Sequence, residues 1–162
     1  MSKLFLLLGG NLGNKKNLFS SALKLVESSI GSIICRSAIY ETEPWGFEST
    51  DLFWNQVVLI ETKLAPRQVL KNTQQIEKNL GRVRHSQQYS SRLIDLDLLL
   101  YDQLVLQSNS LMIPHPRMAE RRFVLEPLAE IAPDYLHPTF NQTISQLLVV
   151  CPDQLHVKKL DI

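Results

Sequence analysis

Cysteine is almost missing from this chain: Cys35 and Cys151 are the two in 162 residues. Two cysteines make no disulfide framework, and each reads as a small core hydrophobe rather than a ligand. Long apolar runs are missing as well. Leu4 to Leu8, near the N-terminus, spans five residues before Gly9-Gly10-Asn11. That is too short for a secretory h-region and far too short to cross a bilayer, so it reads as a buried strand of a cytoplasmic protein. Excess charge of either sign is absent too, with 17 Lys+Arg against 16 Asp+Glu. A balance of that kind argues against nucleic acid as the partner and leaves anion binding to local clusters. With no repeats, low-complexity segments or linkers, residues 1–162 read as a single domain, a monomer with no membrane partner. The 44% hydrophobic content is enough for an ordinary globular core.

The stretch Arg82 to Asp97 is the informative one. Its first half holds Arg82, Arg84 and Arg92 on a polar loop without apolar periodicity. Its second half alternates, with Ile94, Leu96, Leu98 and Leu100 on one expected face of a strand and Asp95 and Asp97 on the other. Two residues along a strand is roughly 6.5–7 Å, so the carboxylates stand side by side. Such a pair repels itself unless a cation lies between, and hard oxygen ligands suit Mg²⁺. An edge strand with a polar outer face would alternate in the same way. Asp, however, is disfavoured inside so apolar a strand, and conflicts of that kind gather at functional sites. Fixed guanidinium groups beside a carboxylate-held metal suit a polyphosphate.

Around this stretch the pattern gives a strand at Leu4–Leu8, then a helix from Asn14 to about Ser29 with Gly31 as its stop. A second strand is expected over Ser32–Thr42, and a Pro- and Gly-punctuated loop over Glu43–Asp51. Phe53 to Glu61 reads as the third strand, with Asn55 conspicuous in its interior. A helix follows from Pro66 to Leu80, where Gln74 and Glu77 lie together at i and i+3 and Gly81 caps. After the Asp95/Asp97 strand come a short strand, helical turns over Arg117–Ile131 broken by Pro127, a helix over Asn141–Val150, and a tail with solvated Lys158-Lys159. His85, His137 and His156 read as surface residues. The order β-α-β-β-α-β predicts an α+β, ferredoxin-like fold with additional C-terminal elements. Its sheet is mainly antiparallel, both long helices lie on one face, and the ligand site lies on the other face or at its end.

With these residues set out, the chain resembles the 6-hydroxymethyl-7,8-dihydropterin pyrophosphokinases of folate synthesis. The resemblance rests on Leu8-Gly9-Gly10-Asn11-Leu12-Gly13, Tyr40-x-Thr42-x-Pro44-x-Gly46, Asn55, and Gln74-x-x-Glu77-x-x-x-Gly81-Arg82-x-Arg84. It continues through Arg92-x-x-Asp95-Leu96-Asp97-Leu98 and Pro114-His115-x-x-Met118-x-x-Arg121-x-Phe123-x-Leu125-x-Pro127-Leu128. It implies pyrophosphate transfer from ATP to the hydroxymethyl group of a reduced pterin, with Asp95 and Asp97 holding two Mg²⁺ ions. It further implies that Arg82, Arg84, Arg92, Arg121 and His115 grip phosphates, Arg82 and Arg92 as the catalytic pair. Gln74, Glu77 and the Leu98 backbone would serve the ATP groove. Phe53 and Phe123 would stack the pterin, and Asn55 would read its amide edge beside the Thr42 and Trp45 backbone. Three departures stand out: Gln88-Tyr89-Ser90-Ser91 replaces a stretch with a basic residue and glycine-type freedom, Trp45 replaces a smaller apolar residue, and Ser110 replaces a cation. The competing expectation is a non-catalytic ferredoxin-like module that binds a nucleotide or RNA.

Overall fold

Leu4, Leu6 and Leu8 point to one side of the first strand and Phe5 and Leu7 to the other, and every one of them is buried. A strand apolar on both faces belongs in the middle of a covered sheet. In the computed structural model, which describes residues 1–44, 51–81 and 93–162, β1 (Ser2–Gly10) takes that place. It runs antiparallel to β4 (Phe53–Thr62) on one side and to β5 (Asp95–Tyr101) on the other. The sheet order is β5-β1-β4-β3-β8, where β3 is Tyr40–Thr42 and β8 is Lys158–Lys159. Strand β2 (Gly31–Arg36) pairs with the other end of β4.

Helices α1 (Lys15–Ser29) and α2 (Pro66–Asn79) cover the face that carries Leu4, Leu6, Leu8, Val58, Ile60, Leu96 and Leu98. The Asn14 side chain caps α1 by accepting the Asn17 N–H at 3.2 Å. Phe19, Ala22 and Val26 are its buried stripe, and Val69, Thr73 and Ile76 are that of α2. Gly81 ends α2 at φ +92°, a conformation that favours glycine. The opposite face, built on Phe5, Leu7, Val57, Leu99 and Leu100, is covered by α3 (Arg122–Ile131) and α4 (Ile144–Val149). Between β5 and α3 lie a small hairpin, β6 (Leu106–Gln107) and β7 (Met112–Ile113), and a 3-10 turn at Met118–Glu120. The ferredoxin-like order, the antiparallel sheet and the shared face of the two long helices all agree with the pattern of the sequence.

Several local expectations change. The second strand divides in two at Ser37: its N–H still donates to the Val57 carbonyl at 2.9 Å, but the Val57 N–H goes to the Ser37 hydroxyl at 3.0 Å instead of its carbonyl. Gly31 is no helix stop: it opens β2, where a Cβ would sit 2.1 Å from the Glu61 carbonyl oxygen. Leu100 joins Leu99 on the second face, because a bulge pairs Phe5 with Leu100 but Leu6 with Leu98. Pro127 lies inside α3 without breaking it. The last helix begins at Thr143, whose hydroxyl accepts the Gln146 N–H, rather than at Asn141. The tail returns to the sheet, with Glu41 paired to Lys158 and Tyr40 to Lys159. His137 is buried, its Nδ1 accepting the Thr139 and Phe140 N–H groups while its ring stacks on Phe140. Of the two cysteines, Cys151 is buried and Cys35 only half-buried.

Candidate functional site

At one end of the second face the apolar pattern stops. Gly9 stands between Asn55 on β4 and Asp95 on β5, and Leu7, two residues back, is opposite Asp97. Asn55 and Asp95 are buried at 4% and 7% exposure, and Asp97 is half-buried. The two carboxylates therefore share one face at the start of β5, as their alternation predicts. Gly9 has a packing reason to be glycine: a Cβ there would lie 2.9 Å from Asn55 Oδ1. Phe53 shares the Asn55 face and is paired with Thr42 on β3, whose Tyr40 pairs with Asn55.

The start of α3 brings Arg121 and Phe123 to the same side of the sheet. Arg121 is 8% exposed, and its guanidinium carbon lies 5.7 Å from the Phe123 ring centre. His115 is tied to β5 by its N–H, which donates to the Leu99 carbonyl at 2.9 Å. Burial, and then the neighbouring Arg121 charge, pull its imidazole down to about 4, opposed by Asp95. His115 is thus neutral at pH 7. Its Nδ1 accepts the Arg117 N–H at 3.2 Å, which assigns the ring proton to Nε2 and leaves that N–H as a donor.

Glu77 is buried at the end of α2, and its Oε2 accepts the Leu96 N–H at 2.8 Å. That bond shows the Leu96 backbone pointing off the open edge of β5, and Leu98, two residues on, is directed to the same edge. Gln74, one turn earlier, is exposed and does not share the burial of Glu77. Where Ser110 supplies no cation of its own, Arg67 of α2 donates to its hydroxyl at 2.9 Å.

The described residues thus bring together Thr42, Phe53, Asn55, Asp95, Asp97, His115, Arg121 and Phe123, with Glu77 and Leu98 at the neighbouring edge. Trp45, Arg82, Arg84 and Arg92 lie outside the described residues. Two further residues have roles the sequence reading did not give them. Gly9 appears there only within a motif, although parity alone places it on the Phe5–Leu7 face. Glu130, which binds β3, carries another signal: an acid in the last turn of a helix opposes the helix dipole.

Comparison with known proteins gives this geometry a family. The model of the 7,8-dihydro-6-hydroxymethylpterin-pyrophosphokinase family matches residues 5–133. A 2-amino-4-hydroxy-6-hydroxymethyldihydropteridine pyrophosphokinase of Porphyromonas gingivalis is 44% identical over 141 residues, covering 85% of this chain and 95% of that one. The Bacillus subtilis protein of the same name is 41% identical over 128 residues, 78% of this chain and 76% of its own. Among solved structures, the Plasmodium falciparum HPPK-DHPS superposes with a TM-score of 0.74 at 19% identity, over 91% of this chain. This chain spans 44% of that longer protein, and at such identity the likeness concerns the fold alone. With a family model over most of its length and relatives above 40% identity, this chain belongs to the 7,8-dihydro-6-hydroxymethylpterin-pyrophosphokinase family.

Proposed function

We propose that this chain transfers pyrophosphate from ATP to the hydroxymethyl group of 6-hydroxymethyl-7,8-dihydropterin in folate biosynthesis, releasing AMP. Beyond family membership, one observation supports it most: two carboxylates, a buried arginine and a neutral histidine gather on the sheet face that also carries Phe53 and Asn55. ATP is the co-substrate, and the reaction is magnesium-dependent, with two ions. Among the described residues no three His, Cys, Asp or Glu side chains cluster as a ready-made metal cage. A pair of carboxylates fits instead a hydrated Mg²⁺ that arrives with phosphate oxygens. Asp95 and Asp97 would hold it, and when bound it supplies charge neutralisation on the phosphates and acidifies the attacking hydroxyl.

The chain's own residues divide the remaining work. Arg121 and the Nε2–H of His115 donate to phosphate oxygens, joined by Arg84 and by the catalytic pair Arg82 and Arg92. Glu77 secures the edge of β5 at Leu96, so that the Leu98 backbone and Gln74 border the nucleotide groove. Phe53 and Phe123 stack on the faces of the pterin ring, while the Asn55 amide and the Thr42 and Trp45 backbone read its polar edge. The chain acts as a cytoplasmic monomer. No helix among the described residues is long and apolar enough to cross a membrane. A non-catalytic nucleotide- or RNA-binding module fits less well, because charge is balanced over the chain and, with no metal between, Asp95 and Asp97 would repel a phosphate backbone.

Purified protein given ATP, Mg²⁺ and the reduced pterin is expected to form AMP and pterin diphosphate in equal amounts, and chelation by EDTA to stop both. Formation of ADP, or nucleotide turnover indifferent to the pterin, refutes the assignment.

A further inference from the structure

Glu130, at the far end of α3, is a charged group that none of the steps above uses. Its carboxylate accepts the Ala38 N–H through both oxygens, at 3.2 and 3.1 Å, and the Tyr40 hydroxyl at 2.6 Å. Lys159 Nζ of β8 stands 3.6 Å from the same Oε1. Ala38 and Tyr40 flank Ile39, the last residue of the break between β2 and β3. Burial, and then the Glu130 hydrogen bond, raise the Tyr40 phenol well above its ordinary value, so it stays a donor throughout the physiological range.

What Glu130 holds is short. Strand β3 has three residues, the short end of the usual range, so its ladders to β4 and β8 are small and a side-chain anchor adds to them. Yet Tyr40 pairs with Asn55 and Thr42 with Phe53, so both pterin residues of β4 lean on it. The other end of α3 carries Phe123. Seven residues of helix separate Phe123 from Glu130, roughly 10 Å at 1.5 Å per residue. A single rigid helix thus presents one aromatic wall and grips the strand beside the other.

We propose that Glu130 is a positioning residue for the pterin: through Ala38 and Tyr40 it locks β3 to α3 and so sets the gap between Phe123 and the Phe53–Asn55 wall. The inference rests on the pterin slot described under Proposed function. It predicts an effect chiefly on the pterin. Of the nucleotide residues, Glu77, Leu98 and His115 sit by β5, with β1 and β4 between β5 and β3, and Arg121 precedes α3 at the end away from Glu130.

Steady-state kinetics of wild type, Glu130→Ala, Glu130→Gln and Tyr40→Phe separate the possibilities. Glu130→Ala is expected to raise the pterin KM about tenfold, the scale of one lost charged hydrogen bond, with the ATP KM and kcat within about twofold. Tyr40→Phe, which keeps the Ala38 bond, is expected to raise the pterin KM about threefold, and the double variant to be no worse than Glu130→Ala. Glu130→Gln retains one acceptor oxygen and recovers most of the loss. Equal rises in both KM values, a fall in kcat alone, or an unchanged pterin KM would each overturn the proposal. Should Glu130→Ala not fold, Tyr40→Phe is read by the same split. A wild-type enzyme that forms no pterin diphosphate sinks the functional assignment itself, before any variant is compared.

Discussion

Leu8, Gln56 and Leu96 stand in one row across β1, β4 and β5, and one residue away Gly9, Asn55 and Asp95 form the row behind it. The first row faces α1 and α2 and continues into Leu6, Val58 and Leu98. Its one polar member, Gln56, donates its amide to the Ser37 carbonyl at 2.8 Å. The second row is just as buried but has no apolar side chain. Burying apolar area stabilises by about 25 cal/mol per Å², whereas burying an amide or a carboxylate costs unless each is given partners. The second face returns to Leu7, Val57 and Leu99 within a few residues. The expensive row is therefore confined to one end of one face, where the proposed pterin and metal groups stand.

Breaking the two rows separately is the sharpest test of this contrast. Asp95→Asn or Asp97→Asn is expected to lower kcat by about 10³-fold or more, the scale of losing metal-assisted charge stabilisation. The unfolding midpoint of either variant should move by a few degrees at most. Leu96→Ala should do the reverse, costing about 2–5 kcal/mol in denaturant unfolding while the folded fraction turns over near the wild-type rate. Full magnesium-dependent AMP formation by either aspartate variant would remove the metal assignment. A Leu96→Ala protein as inactive as Asp95→Asn would show that the two faces are not separable.

The pH dependence of stability gives a smaller effect on the site side. Folding holds the His115 imidazole near 4 against an ordinary 6.5. Between those values the unfolded chain binds a proton that the folded chain does not, so stability falls as pH drops from 6.5 to 4 and is fully present above that window. A gap of about 2.5 units corresponds to at most about 3 kcal/mol, less whatever solvent screening removes. Denaturant unfolding across this range should show a steep acid limb in wild type and a shallower one in His115→Gln. Equal limbs would mean that His115 is not held neutral by the fold.

The two rows also mark how far the sequence could be read. Alternation placed Asp95 and Asp97 on the face opposite Leu96 and Leu98, because period-2 geometry acts within one strand and needs no partner. It failed three residues later at Leu100, because the bulge depends on pairing with β1. Helix ends at Asn14 and Gly81 were legible from capping chemistry, which is local. Gly31 was misread because its reason, contact with the Glu61 carbonyl, comes from a strand thirty residues away in sequence. The buried His137 and the return of Lys158-Lys159 to β3 escaped for the same reason. Motif spacing singled out His115, Arg121 and Phe123, which the structure gathers near one another, where periodicity alone would have left them as core or surface.

Gly9→Ala tests the contrast at its narrowest point, where the expected effect is smallest. The added Cβ would meet Asn55 Oδ1 at 2.9 Å, too close to leave both atoms in place. The atom it strikes is the end of a side chain rather than backbone, and Gly9 is not among the glycines with positive φ, so the strand itself can accept alanine. Stability should therefore change little while the Asn55 amide is pushed aside. Since Asn55 is the group assigned to the polar edge of the pterin, its displacement should raise the pterin KM about tenfold, some 1.4 kcal/mol, and leave the ATP KM near wild type. The equivalent change one row over would strike packed hydrocarbon and appear in the unfolding curve. An unchanged pterin KM in Gly9→Ala would mean that Asn55 buttresses the strand and does not read the substrate, and the polar row would then begin at Asp95.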